Sequence, residues 1–163
     1  MSTLREQIDV KCPRYYLIHH AKRYFTVHRS GQAPGTFSLA VDMSKVGLPG
    51  NVQARHDVRM RYEISKEADD QPVMELTWDP EDRFVPKFTG ALSGESLEDG
   101  KSRLTLAGTY DAPFGPVGAV FDAILGHRIA AATADAFLQD IKRFIESDYQ
   151  VAASTSLAES PKE

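Results

Sequence analysis

Two histidines stand in rows that are otherwise apolar. His56 belongs to the alternating set Val52, Ala54, His56, Val58, Met60 and Tyr62. His127 belongs to a helically spaced set, Val117, Val120, Ile124, His127, Ala131, Ala134, Leu138, Ile141 and Ile145. An imidazole titrates near neutral pH, so two of them facing one interior could move a proton at a substrate carbon or hydrogen-bond a ligand carbonyl. The same placement also fits core histidines satisfied by backbone or by a neighbouring tyrosine, as buried polar groups require. Convergence on one shared space would separate the two readings. Tyr62, Trp78 and Tyr110 add inward aromatics with polar tips, which orient ligands and also fill cores. Met60 and Met74 are adaptable wall residues in either role.

Other chemistries lack their residues. The chain has no Gly-x-Gly-x-x-Gly, no Walker-type phosphate loop and no His-Glu-x-x-His. A Gly-x-Ser-x-Gly elbow is absent too. Adjacent His19 and His20 point to different sides of a helix or a strand, which argues against a shared metal. Cys12, the single cysteine, precedes Pro13 and has no evident histidine partner, so a nucleophilic role is not expected. No metal and no cofactor is anticipated.

The elements that must position these groups are mostly strands. Residues 7–12 alternate like a short strand and stop at Pro13. From 14 to 29 the spacing of Tyr16, Leu17, His20, Tyr24 and Val27 suits a helix, while residues 24–28 suit a strand equally well. Phe37, Leu39, Val41 and Met43 alternate with polar or small residues, and Leu48-Pro49-Gly50-Asn51 has the composition of a type II turn. The clearest strand follows, with the His56 row on one face and Gln53, Arg55, Asp57, Arg59, Arg61 and Glu63 on the other. Met74, Leu76 and Trp78 share a face, as do Phe84, Phe88, Gly90 and Leu92. Asp99-Gly100 is a hairpin signal, because its favoured turn needs positive φ at both positions. Leu104, Leu106, Gly108 and Tyr110 then face inward. The sum is a largely antiparallel sheet with one apolar and one charged face.

After Gly115 and Pro116 the pattern becomes helical to about Glu146. A helix of about 30 residues is about 45 Å long, enough to cross the whole face of a sheet. The middle of its stripe is small: His127, Ala131 and Ala134. Alanines there either let the sheet approach closely or leave space. A curved sheet cannot follow a straight helix along its length, and glycines at 90, 94 and 108 suit sharp bends, which favours space.

This strand order, the hairpin into Leu104 through Tyr110, the Pro/Phe/Gly break and the long Ala-rich terminal helix resemble the START-like helix-grip superfamily, also called SRPBCC, with its polyketide cyclase/dehydrase-like members. The resemblance covers roughly residues 7–147. It implies an α+β fold in which a curved antiparallel β-sheet wraps a long C-terminal α-helix around an internal cavity. It also implies a hydrophobic or amphipathic ligand: a lipid, quinone, sterol or polyketide-like molecule. The departure lies at residues 13–30, where the family places two short helices and this chain offers one candidate. On this reading the ligand wall is Val58, Met60, Tyr62, Met74, Leu76, Trp78, Phe88, Leu106, Tyr110, Ile124, Ala131, Ala134 and Leu138. Carriage or sensing is the first function implied. A cyclase/dehydratase using His56 or His127 as general acid/base is the alternative.

Composition bounds the partners. With 163 residues and 42% apolar content the chain fits one domain with a sizeable core, taken as residues 1–149, followed by a small, polar, aperiodic tail at 150–163 read as disordered. A net charge of −4 argues against nucleic acid. The opening residues have no apolar run of a signal peptide, no stretch reaches the ~18 apolar residues of a membrane span, and one cysteine suits a reducing compartment. A cytoplasmic location is therefore expected. Arg55, Arg59 and Arg61 beside Asp57 and Glu63 read as a solvated mixed-charge face. Residues 19–29 are basic with aromatics interleaved, which suits a solvated amphipathic element or transient contact with an anionic membrane surface. A protein-interaction domain acting through either patch is the third reading.

Overall fold

Alternation of side chains sets the strands, and their pairing sets the sheet. The computed structural model describes residues 1–28, 35–42, 53–66, 71–81, 85–111 and 121–158. Within them run β1 (Ser2–Val10), α1 (Arg14–Val27), β2 (Thr36–Asp42), β3 (Gln53–Lys66), β4 (Pro72–Pro80), β5 (Lys87–Ser96), β6 (Ser102–Asp111) and α2 (Phe121–Ala158). The six strands form one antiparallel sheet in the order β1-β6-β5-β4-β3-β2. On β3, Val58 and Met60 are buried while Arg55, Asp57, Arg59, Arg61 and Glu63 are exposed, as the two-residue period demands.

The helix α2 touches both edge strands, β1 and β2. In a flat six-stranded sheet those edges would lie about 24 Å apart, and a helix with its side chains is about 10–12 Å across. One helix can meet both edges only if the sheet curls around it, and it does, as a half-barrel. This is the α+β helix-grip architecture expected from the sequence.

Glycines supply part of the curl. Gly90 and Gly108 are directly paired across β5 and β6. A Cβ at Gly90 would lie 2.2 Å from the Ala107 carbonyl oxygen and 2.5 Å from Phe88 Cζ, so the Phe88 ring folds over the space that side chains would otherwise fill. The β5–β6 turn carries Asp99 at φ 59° and Gly100 at φ 69°, closed by a bond from the Lys101 N–H to the Glu98 carbonyl at 3.2 Å. That is the turn the Asp-Gly pair predicts.

Several expectations change. The first strand begins at Ser2, not at residue 7, because Ser2, Leu4 and Glu6 pair with Tyr110, Gly108 and Leu106; a charged Glu6 in the inward row hides the alternation. The ambiguous segment after Pro13 is helix α1, which buries Leu17, Ile18, His20, Ala21, Tyr24 and Phe25, while Val27 is exposed. It docks on β5 with Leu17 against Gly94, where a Cβ would come within 2.7 Å of Leu17 Cδ1.

The long helix departs most. Its buried face through the alanine-rich stretch is Ile129, Ala130, Thr133, Ala134, Phe137, Leu138 and Ile141. Ile124 is 61% exposed and His127 is exposed, so these two members of the expected stripe are not in the core. Two apolar stripes lie side by side there, both with helical period, and packing against the sheet selects between them. The helix α2 runs on past Glu146 through residues 150–158. Ser154, Thr155 and Ser156 donate to the carbonyls of Gln150, Val151 and Ala152, so their hydroxyls are satisfied on the helix itself. Helix already nucleated on the sheet propagates one bond per residue. Val52, Val117, Val120, Phe84, the turn at Leu48 through Asn51, and Gly115 with Pro116 lie outside the described residues.

Candidate ligand-binding site

The concave side of the sheet holds an aromatic cluster drawn from six elements. Phe25 of α1 stacks on Tyr62 of β3 at 5.1 Å between ring centroids, and meets Phe37 of β2 edge-on at 5.3 Å. Trp78 of β4 stacks on Phe88 of β5 at 4.3 Å. Phe137 of α2 joins the two halves, 6.1 Å from Phe25 and 5.8 Å from Trp78. The indole N–H of Trp78 donates to the Pro86 carbonyl at 2.9 Å, so the buried ring carries no orphaned donor.

Most of the expected ligand wall lies in this interior. Val58, Met60, Met74, Leu76, Trp78, Phe88, Leu106, Tyr110, Ala134 and Leu138 are each 3% exposed or less. A side chain with no exposed area touches no water-sized void, so Val58, Met74, Trp78, Phe88, Leu106 and Ala134 are packed against neighbours. Tyr62 and Ala131 are half-buried against the core. Ile124 stands outside it. Phe25, Phe37 and Phe137 belong to the cluster but not to the wall expected from the sequence. The signals that point to them are the spacing Leu17, Ala21, Phe25 on α1, the inward row of β2, and a bulky ring one position before Leu138.

The two histidines belong to elements at one end of the grip. His127 Nδ1 and the Tyr110 hydroxyl share a hydrogen bond at 3.1 Å, joining α2 to the end of β6. His56 is half-buried near the start of β3, opposite Leu39. The register row Tyr110–Phe88–Trp78–Met60 shows that the end of β6 and the first half of β3 share one end of the sheet. β5 and β4 stand between β6 and β3, so the strands that carry Tyr110 and His56 are three spacings apart, about 14 Å across the sheet. The pair formed by His127 is therefore with a phenol, not with a second imidazole, and a phenol–imidazole pair can hold and pass a proton.

Two recesses open among the described residues. One of about 510 Å³ is bordered by Met60, Arg61, Tyr62, Glu63, Glu75 and Thr77 on β3 and β4. The other, about 280 Å³, lies between β1 and α2 and is lined by Glu6, Arg128, Ala131, Ala132 and Asp135. Space beside Ala131 is thus present, but its walls are charged, whereas Ala134 is covered. Burial, and next the Asp135 carboxylate, raise the Glu6 carboxyl above its ordinary range, with His127 acting the other way.

At the opposite end α1 is tied to α2. Buried His20 bonds through Nδ1 to Asp148, whose carboxylate also meets Arg23 Nε at 3.2 Å. The other ring nitrogen of His20 has no hydrogen-bond partner among the described residues. The Lys11 N–H donates to Glu146 Oε1 at 2.9 Å. Cys12 is fully buried beside this junction, and its thiol is pushed up to about 11, first by burial and then by Glu146. Alkylation of native Cys12 at pH 8 is expected to run about a hundredfold slower than in denaturant, because so little thiolate is present. Equal rates, read by thiol titration, would contradict this placement. No group of three or more His, Cys, Asp or Glu residues able to hold a metal occurs among the described residues, and no described helix is long and apolar enough to cross a membrane.

No family model and no curated protein matches this chain. Solved structures do. The Zhui aromatase/cyclase from Streptomyces sp. R1128 superposes with a TM-score of 0.51 at 12% identity, over 89% of this chain and 93% of that one. A protein from Thermus thermophilus, TTHA0849, superposes with a TM-score of 0.50 at 9% identity, over 90% of this chain and 99% of that one. Likeness at such identities is likeness of fold, and function resides in the site. The chain has the START-like helix-grip fold.

Proposed function

We propose that this chain binds a hydrophobic or amphipathic small molecule between the curled sheet and α2, for carriage or sensing. The observation that carries the reading is the continuous apolar and aromatic concave face, held by one helix across both edges and ending at the Tyr110–His127 hydrogen bond. Apolar burial would supply the affinity, at roughly 25 cal/mol per Å² before ordering costs. The polar tips of Tyr110 and His127 would orient a ligand oxygen. Because the aromatic cluster is closely packed, binding at its centre requires α2 or α1 to part from the sheet.

Native mass spectrometry of gently purified protein, followed by titration with a hydrophobic fluorescent probe, tests this. The expected result is one lipid, quinone, sterol or polyketide-like molecule per chain, and about threefold to tenfold weaker binding of a carbonyl-bearing ligand by Tyr110→Phe with the fold intact. A clean apo mass together with no probe uptake would overturn the proposal.

The Tyr110–His127 bond also favours a second reading, a cyclase/dehydratase in which His127 takes a proton from a carbon next to a carbonyl while Tyr110 steadies the ring. His127→Ala should then abolish turnover of a polyketide-like substrate while leaving the fold intact. Full turnover by that variant would remove His127 as the base.

A further inference from the structure

Edge strand β1 is one jaw of the grip on α2, and it turns Leu4, Glu6, Ile8 and Val10 toward the helix. Leu4 and Val10 are buried, and Glu6 is the charged member of that row. Facing it from α2 are Asp135 and Arg128 across the recess of about 280 Å³ that Ala131 and Ala132 leave open, with His127 nearby. From β6 the neighbours are Leu106, directly opposite, and Gly108, so the sheet brings no compensating charge. On β1 itself Arg5 and Gln7 alternate to the other face.

We infer that Glu6, in the recess it shares with Asp135, makes the seating of α2 on β1 depend on pH, firm while the Glu6 carboxyl is protonated and looser once it is ionised. Like charges brought together in a partly buried recess repel more than in water. His127 offsets part of that repulsion. The direction of the Glu6 shift agrees: its carboxyl is held above the ordinary range by burial and by Asp135. A raised folded value means that the folded state keeps a proton the unfolded state has released. The contribution is therefore complete below the ordinary glutamate range and fades as pH rises through the raised folded value. Asp9, on the outer face of the same strand, shifts the opposite way because Arg103 bonds to it at 2.8 Å, so it serves as an internal control.

Amide hydrogen exchange of the full chain from pH 4 to 7, corrected for intrinsic rates, reads the effect at residues 2–10. Protection of β1 is expected to fall about threefold or more across that range in the wild type. In Glu6→Gln it should stay level, in Asp135→Asn it should fall less steeply because burial of Glu6 remains, and in Asp9→Asn it should fall as in the wild type. Asp135→Asn keeps the test open if Glu6→Gln does not fold. A wild type level with pH, or a Glu6→Gln variant declining as the wild type does, would overturn the inference.

Discussion

Gly108→Ala is expected to lower stability by about 3 kcal/mol, near the upper end for an overpacked site. The added methyl would stand 2.3 Å from the Thr89 carbonyl oxygen and 2.5 Å from Gly90 Cα, both backbone atoms of the paired strand. Neither can move without opening the β5–β6 ladder, and the Phe88 ring, 2.8 Å away, closes the remaining side. Gly100→Ala makes a contrast at the hairpin. A methyl there meets nothing within 4 Å, and the cost is that of a positive φ (69°) for a residue with a Cβ, about 1 kcal/mol. Urea unfolding of both variants measures the difference. A Gly108→Ala loss no larger than that of Gly100→Ala would mean that the two strands do not approach as described.

The second large effect is expected at Phe137. Truncation to alanine should cost about 3–5 kcal/mol, as for other fully buried aromatics. Phe137 touches Phe25, Trp78 and Tyr24, so its removal uncouples α2 from α1 and from β4 together. The matched control is Ile124→Ala, whose side chain is 61% exposed and which should change stability by less than about 0.5 kcal/mol. This pair decides which of two helical stripes faces the sheet. Comparable losses for both, read in the same urea titration, would restore the stripe that passes through Ile124. Phe137→Ala also leaves a void on the path between α2 and the sheet. If the ligand space is there, the variant should take up a hydrophobic probe more readily than the wild type at a urea concentration where both remain folded.

The strands were legible because their signal is local and redundant. On β3 a two-residue period runs through charged residues on one face and apolar ones on the other, and no other arrangement satisfies both faces. The Asp99-Gly100 turn was legible for a similar reason, since its backbone conformation is set by two residues alone. The paired glycines are recognisable as bends from the sequence, but their partnership across β5 and β6 and the ring of Phe88 above them emerge only once the register is known.

The site was legible in part. Alternation on β3, β4, β5 and β6 placed Val58, Met60, Met74, Leu76, Trp78, Phe88, Leu106 and Tyr110 in the interior, where they are. What it left open was whether those side chains face a ligand space or one another. That depends on rings supplied from α1 and α2, and a helix contributing Phe25 or Phe137 is recognisable only by which side it turns to the sheet. The proton-bearing pair shows the same limit. His56 and His127 stand out by their rows, yet the partner that His127 finds is Tyr110. No periodicity encodes that contact, which is set by where β6 ends beneath α2.

By itself the sequence determined the order and type of the strands, the tight hairpin, the long terminal helix and the grip they form, because hydrophobic period and turn chemistry act between residues close along the chain. Only the tertiary structure decided the rotation of α2, the extension of that helix to Ala158, the facing of Glu6 and Asp135, and the pairing of His127 with Tyr110. Each of those is a choice between local alternatives of nearly equal energy. An alanine-rich helix offers two stripes of similar hydrophobicity, and the contacts that separate them come from residues far away in the chain.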